Sequence, residues 1–318
     1  MEYLLAAVSA VFGSMVGSFL NVVIYRVPEK AFFERGTRSR CRSCGARIAG
    51  WDNVPVLSWL LLRGKARCCG ARISVQYPLV EAGTALAFLA VWLHQGSGRV
   101  WTAGEGWVPA AVGELLASWF LVAVLIAHSV IDLRHRILPD ALNFIGLVVG
   151  VVLSAVLPRI HAGSWPYDAL AGAGPASAGL LTGLAGAAVG AGLLWLVAWG
   201  GERLYRTEAM GLGDVKLMAF LGAFIGPVGV LLAIGVAVLL GAVVGIVAVA
   251  VTRDPKIPFG PFLAIGSLAS WFAEPGLRTL LVEDWPRWLQ QSAAGPFVLV
   301  GICLVCLGAI LFLRRLRR

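Results

Sequence analysis

The amino-acid sequence predicts an all-α polytopic membrane protein of about eight or nine transmembrane helices, with a small cysteine-containing cytoplasmic domain between the first and second. Three observations carry that expectation. Of 318 residues, 59% are apolar and only 14% charged, against about 25% charged in ordinary soluble domains. Several apolar runs reach the length of about 20 residues that crosses a bilayer. The cations are also unevenly placed: 22 of the 26 Lys and Arg fall on one alternating set of connections, the asymmetry that marks cytoplasmic loops.

The first span, 4–25, follows Met1-Glu2-Tyr3 with neither a basic leader nor a small-residue cleavage site, so it reads as an uncleaved helix. It runs into GSFLNVVIYRVP (17–28), where Asn21 reads as a packing amide and Arg26 as a snorkelling cation at the boundary. Residues 26–77 form the one sizeable soluble stretch and hold 11 basic residues. Further spans are expected at 78–94, 113–131, 141–157, 177–199, 214–226, 228–252, 259–273 and 295–313. The stretch 214–252 is read as two passes because Gly226-Pro227 supplies a turn. With Met1 outside, the outside loops carry only Arg99, Arg159, Arg278 and Arg287. Trp101, Trp107, Trp165, Trp285 and Trp288 suit interfacial belts. Small residues four apart (Gly13/Gly17, Gly146/Gly150, Gly186/Gly190, Gly222/Gly226, Gly241/Gly245) suit close helix packing in lipid. The net charge of +9 thus reads as membrane orientation, with no nucleic-acid partner.

Four of the six cysteines lie in the soluble stretch. Cys41-x-x-Cys44 sits in CRSCGARI and the adjacent Cys68-Cys69 in ARCCGARI, so two matching knuckles are expected to face each other. On the cytoplasmic side disulfides are disfavoured. Two readings remain: a tetrahedral structural zinc held by four thiolates, or reduced structural cysteines. The second knuckle is irregular, since Ala66 stands where a C-x-x-C would place its first sulfur. Cys303 and Cys306 share a face of the last span and read as packing residues.

Two carboxylates stand out in the apolar part. Asp132 ends a span in IDLRHRILPD (131–140), and Asp214 opens another in MGLGDVKLMAFLGAFIG (210–226). A charge at mid-membrane costs roughly 2.5–3.5 kcal/mol on insertion scales, so such groups are functional candidates by default. Asp140 begins the next helix and suits a capping role. Lys216 reads as an interfacial anchor, and His128 and His135 as packing or hydrogen-bonding residues. The glycines at 211 and 213 let another backbone approach Asp214 closely. The charge asymmetry puts both acids at the cytoplasmic boundary. Two close carboxylates cannot easily both ionise, so one can keep a proton while the other acts as base on a water.

Together with NVPVLSWLLLRGK (53–65), YPLVE (77–81) and IPFGPFLAIG (257–266), these segments resemble the type IV prepilin peptidases, membrane aspartic proteases of the GxGD type, over nearly the whole chain to about residue 273. The resemblance implies cleavage of the short basic leader from type IV prepilins or secretion-system pseudopilins in the bacterial cytoplasmic (inner) membrane, with the active site toward the cytoplasm. It implies Asp132 and Asp214 as the catalytic pair. It also implies N-methylation of the new terminus with S-adenosylmethionine, linked to Gly64 and Lys65. Where the family has its third cysteine this chain has Ala66, so the candidate metal set read from the residues, Cys41, Cys44, Cys68 and Cys69, departs from the family pattern. The chain divides accordingly into a first helix (1–25), a cysteine domain (26–77), a peptidase core (78–273) and an additional loop, helix and basic tail (274–318). Two other classes compete. A transporter could use Asp132 and Asp214 as a proton or ion relay, although such sites gather near the midplane between repeats, and no repeat is visible. A non-catalytic assembly protein could use the cysteine domain as an adaptor.

Overall fold

Inside a bilayer backbone polar groups have no water to bond, so a chain this apolar satisfies them within helices. The computed structural model describes residues 1–29, 40–102, 104, 106–205, 210–252 and 258–278, with 287 and 291. Among them are eight α-helices: α1 (Glu2–Arg26), α2 (Leu57–Leu61), α3 (Gln76–Val91), α4 (Pro109–His135), α5 (Asp140–Val156), α6 (Pro175–Tyr205), α7 (Leu212–Thr252) and α8 (Gly260–Arg278). A short antiparallel pair, β1 (Trp101–Thr102) and β2 (Gly106–Trp107), sets Trp101 opposite Trp107 in the loop before α4. Five helices are long and apolar enough to cross a membrane: α1, α3 with its π-helical extension to Gly96, α4, α6 and α7. Two shorter apolar helices, Asp140–Val156 and Gly260–Ala273, join them. The expected span 295–313, with Cys303, Cys306 and the basic tail, lies outside the described residues, as do Arg206, Arg253, Lys256, Trp285 and Trp288.

The longest helix is two passes. Gly226 adopts φ 67° and ψ 176°, and Pro227 follows it. That positive φ is open to glycine at little cost, while proline cannot donate the backbone bond that would carry a helix through. The neighbours show what the break does. A Cβ on Gly213 would lie 3.0 Å from Leu138, and one on Gly260 would lie 3.3 Å from it, so the starts of α7 and α8 share one side chain. Phe224 meets Trp271 at 6.0 Å between ring centroids, so the first half of α7 runs parallel to α8. Gly229 packs near Ser270 and Gly241 near Phe259 and Phe262, so the second half runs back. The break brings the apolar segments to eight among the described residues.

α4 is the central helix. Its Leu115, Val122, Ala123, Ala127 and Ile131 belong to a core shared with α1 and α3. Its Leu121 and Leu125 belong to a second core with Leu194 of α6, Leu217, Phe220 and Phe224 of α7, and Leu263 of α8. Close approach is built on the glycines. A Cβ on Gly13 would come within 2.8 Å of α3, at Thr84 and Phe88, and one on Gly17 within 2.7 Å of Glu81. Gly146 and Gly150 receive the rings of Phe220 and Phe224, while Gly186 abuts Gly222 and Gly190 abuts Met218. Of the expected glycine pairs, Gly241 makes only ordinary contacts, with Phe259 and Phe262 no nearer than 3.6 Å.

Candidate active site and cysteine cluster

Because α4 is packed on two faces, its last turn is held deep in the bundle, and Asp132 there is only 6% exposed. The chain then leaves helical geometry through Arg136, whose left-handed φ of 54° redirects it, and re-enters at Asp140. Leu138 lies in this connection, and the glycines at 213 and 260 close on it. Those contacts converge three chain segments at the foot of α4. The Gly260 backbone N–H donates to Asp132 Oδ2 at 3.0 Å. A Cβ at position 260 would stand 2.6 Å from the same oxygen, so only glycine fits. Asp214 lies in the first turn of α7, where its own N–H donates to the Gly211 carbonyl at 3.1 Å. It is half-buried, and the Gly213 beside it closes on the same Leu138 as the Gly260 that bonds Asp132, so both acids lie at this end of the bundle.

The surroundings of the two acids are structural. His128, one turn before Asp132, is buried; its Nδ1 bonds the Val124 carbonyl and its Nε2 the Asn143 amide, both at 2.9 Å. That pair ties α4 to α5. Lys216, read as an interfacial anchor, is exposed, and its Nζ donates to Asp140 Oδ1 at 2.7 Å, because the starts of α5 and α7 lie side by side. Both groups are exposed, so the pair is worth little by itself, though it joins the two segments that flank Leu138. The sequence marked both acids through their placement in apolar runs, whereas Gly260 carried no signal beyond its motif, since a backbone donor leaves none.

The cysteine segment meets the bundle at the same end. Asn21 Nδ2 of α1 donates to the Tyr77 carbonyl at 3.1 Å. Tyr25 stacks on Tyr77 with centroids 5.5 Å apart, and the guanidinium of Arg42 lies 3.6 Å from the Tyr25 ring centre. Arg134, two residues past Asp132, stands 5.1 Å from that ring. Buried Glu81 of α3 accepts the Val56 N–H at 2.7 Å. The bond holds Val56 at φ 62°, an uncommon conformation for a β-branched residue. Trp59 donates its indole N–H to the Ile73 carbonyl at 3.1 Å. Gly64, at φ 70°, is buried against the Trp59 ring, and Lys65 beside it is exposed.

The four sulfurs of Cys41, Cys44, Cys68 and Cys69 all lie within 4.8 Å of one another, and the cysteines are free thiols. Cys41 and Cys69 are 3.7 Å apart, Cys44 and Cys68 3.4 Å, and Cys68 and Cys69 3.9 Å. A tetrahedral ion with metal–sulfur bonds near 2.3 Å requires sulfurs about 3.8 Å apart. The residues present therefore fit one metal ion. Backbone N–H groups of Cys44 and then Ser43 bring the Cys41 thiol down to about 6, while hydrogen bonding to Cys44 pushes Cys68 up to about 12.

Residues 11–95 match the family model "Bacterial Peptidase A24 N-terminal domain", and residues 119–246 match "Type IV leader peptidase family". The first match contains the four cysteines and the second contains Asp132 and Asp214. The chain is 37% identical to a prepilin leader peptidase/N-methyltransferase of Xanthomonas campestris pv. campestris, over 82% of this chain and 88% of the relative. It is 39% identical to one of Myxococcus xanthus, over 94% and 89%. A "Type 4 prepilin-like proteins leader peptide-processing enzyme" of Escherichia coli O78:H11 is 34% identical, over 82% and 91%. No solved structure matches.

Proposed function

The chain belongs to the type IV leader peptidase family, and from that premise we propose that it is a membrane aspartic endopeptidase that removes the leader from type IV prepilins or pseudopilins, with Asp132 and Asp214 as its catalytic pair, and N-methylates the new terminus. The convergence at one end of the bundle of the chain segments that bear the two carboxylates carries the reading. It also disfavours an ion relay, whose groups would be expected near the midplane.

In this mechanism the pair shares one proton. The ionised carboxylate takes a proton from a water, whose oxygen attacks the scissile carbonyl carbon, and the protonated partner gives its proton to the carbonyl oxygen. Collapse of the tetrahedral intermediate breaks the C–N bond, and the amine leaves with a proton from the pair. The N–H of Gly260 fixes the orientation of Asp132 through this cycle. Substrate pilins carry a basic leader ahead of an apolar helix. Such a chain can keep its helix in lipid and present the boundary peptide bond to acids at the membrane edge.

The site faces the cytoplasm of the bacterial inner membrane in this reading, supported by the basic excess on the loops at that end. The chain divides as read from sequence, with 26–77 as the domain for methyl transfer and 78–273 as the peptidase. S-adenosylmethionine supplies the methyl group. The exposed cation of Lys65 suits the carboxylate that this cofactor carries, and Gly64 shapes the turn that presents it. Cys41, Cys44, Cys68 and Cys69 hold a structural zinc, which would fix the two knuckles to each other.

Purified protein incubated with a prepilin, with and without S-adenosylmethionine, tests the proposal by mass spectrometry. Leader loss in both samples and a methyl addition only with the cofactor are expected. Cleavage that persists in Asp132→Asn or Asp214→Asn would remove the catalytic pair from the proposal.

A further inference from the structure

Resting on the metal reading of the cysteine cluster, we infer that Cys68 is a displaced ligand, which supplies from the third position of its turn the sulfur that Ala66 lacks at the first. The two turns are built by the same backbone bonds. In the first, Cys41 N–H donates to the Ala46 carbonyl and Gly45 N–H to the Cys41 carbonyl, both at 2.8 Å. In the second, Ala66 N–H donates to the Ala71 carbonyl and Gly70 N–H to the Ala66 carbonyl, again at 2.8 Å. The flanking bridges agree, since Arg40 pairs with Arg47 and Lys65 with Arg72. Gly45 and Gly70 take the same left-handed turn, at φ 71° and 70°.

This register makes the turns equivalent residue by residue. Cys44 corresponds to Cys69, Cys41 to Ala66, and Ser43 to Cys68. A pair of regular knuckles would draw ligands from the first and fourth positions of each. Here the first position of the second turn carries a methyl group, which leaves three sulfurs. Cys68 occupies the place of Ser43, yet its sulfur reaches into the cluster, 3.4 Å from Cys44 and 3.9 Å from Cys69. Those separations bracket the edge of about 3.8 Å that a tetrahedral thiolate site needs. The loss at 66 is thus made good two residues later, within one turn and without altering its backbone bonds. The ligand class is a soft divalent ion that takes four thiolates, with zinc as the physiological candidate.

The test uses the full chain in detergent, reduced, loaded with zinc or with cobalt as a spectroscopic probe. Wild-type protein is expected to take up one ion per chain, with the charge-transfer intensity of a four-thiolate site. Cys68→Ser should lose one sulfur's share of that intensity and weaken binding by roughly a hundredfold or more. The double variant Ala66→Cys with Cys68→Ser should recover both, because it returns the ligand to the first position. The recovery also answers the case in which Cys68→Ser alone fails to fold. Retention of the wild-type spectrum and affinity in Cys68→Ser would overturn the inference while leaving the metal reading intact, as would a double variant that recovers neither. Wild-type protein that takes up neither metal when reduced would sink the metal reading itself, and prepilin cleavage measured in the same sample reports on the peptidase separately.

Discussion

The membrane core and the cysteine module assemble their sites in opposite ways. In the core, Asp132 and Asp214 are 82 positions apart, and each comes from the end of a different helix. Both come to one end of the bundle because glycines let α7 and α8 close on Leu138 and because α4 is gripped on two faces. In the module, two short turns with one bond pattern each bring two sulfurs to a common point. The first site depends on long-range packing and the second on local backbone geometry. Chemistry at the core should therefore fail with its carboxylates or its close contacts, while the module should fail with its ion, and each should largely survive the other's loss.

The largest effect expected is on the carboxylates. Asp132→Asn and Asp214→Asn should each lower leader cleavage by more than about a thousandfold, since one member of an acid–base pair cannot do both jobs. Both variants should keep their helical content and their metal, and should still methylate a substrate supplied already cleaved. Loss of methylation alongside cleavage would show that the two regions are not separable. Gly260→Ala comes next. Its Cβ would stand 2.6 Å from Asp132 Oδ2, so the start of α8 must move and the 3.0 Å bond with it. A fall in kcat of roughly ten- to a hundredfold with KM nearly unchanged is expected, because a misplaced group loses catalysis before it loses binding. An equal rise in KM would place the damage in substrate docking.

Metal removal addresses the other side. Chelation should expose the segment 40–76 to limited proteolysis while the membrane core keeps its melting behaviour, because the core holds none of the ligands. Among the links between the regions, one runs toward the carboxylates: Arg42, inside the first cysteine turn, lies over Tyr25, and Arg134 lies near the same ring two residues past Asp132. Cleavage should fall only a few-fold on chelation if that link is weak, at about the 0.5–1 kcal/mol of an exposed cation–π contact. A collapse of cleavage to the level of the Asp132→Asn variant would make the module part of the peptidase.

What the sequence revealed follows the same division. The helices were legible because apolar runs of bilayer length admit little else, and the turn at Gly226-Pro227 was legible because proline after glycine breaks a helix. Both aspartates were legible because charge is out of place in such runs. The Lys216–Asp140 pair was not, since no local pattern records which two helix starts become neighbours. Gly260 was equally silent, because its contribution is a backbone N–H that every residue but proline possesses. The knuckles were visible as a repeated GARI. The irregularity at Ala66 was visible too, but the residue-by-residue equivalence of the two turns, with Cys68 at the place of Ser43, needed the shared hydrogen-bond register.

The smallest effect lies at the far end of the core, away from both sites. His161 is 2% exposed, and its Nε2 bonds Ser154 Oγ at 3.0 Å. Ser154 Oγ in turn lies 2.8 Å from the Gly150 carbonyl and 2.9 Å from that of Ala223. Its single hydrogen goes to one of them, so the neutral imidazole carries its proton on Nε2. Burial lowers this histidine from 6.5 to about 4. The folded state therefore binds the proton less readily than the unfolded chain. Its share of stability is present above pH 6.5 and is lost as the pH falls from there toward 4. Between pH 7 and pH 5 the loss amounts to at most about 2 kcal/mol. His161→Gln, which can keep one bond to Ser154, should flatten the melting temperature over that interval and leave cleavage at pH 7 and metal content unchanged. Should the variant show the same acid sensitivity as the parent, the titrating group would have to be sought nearer the carboxylates, and the two ends of the core would no longer be independent.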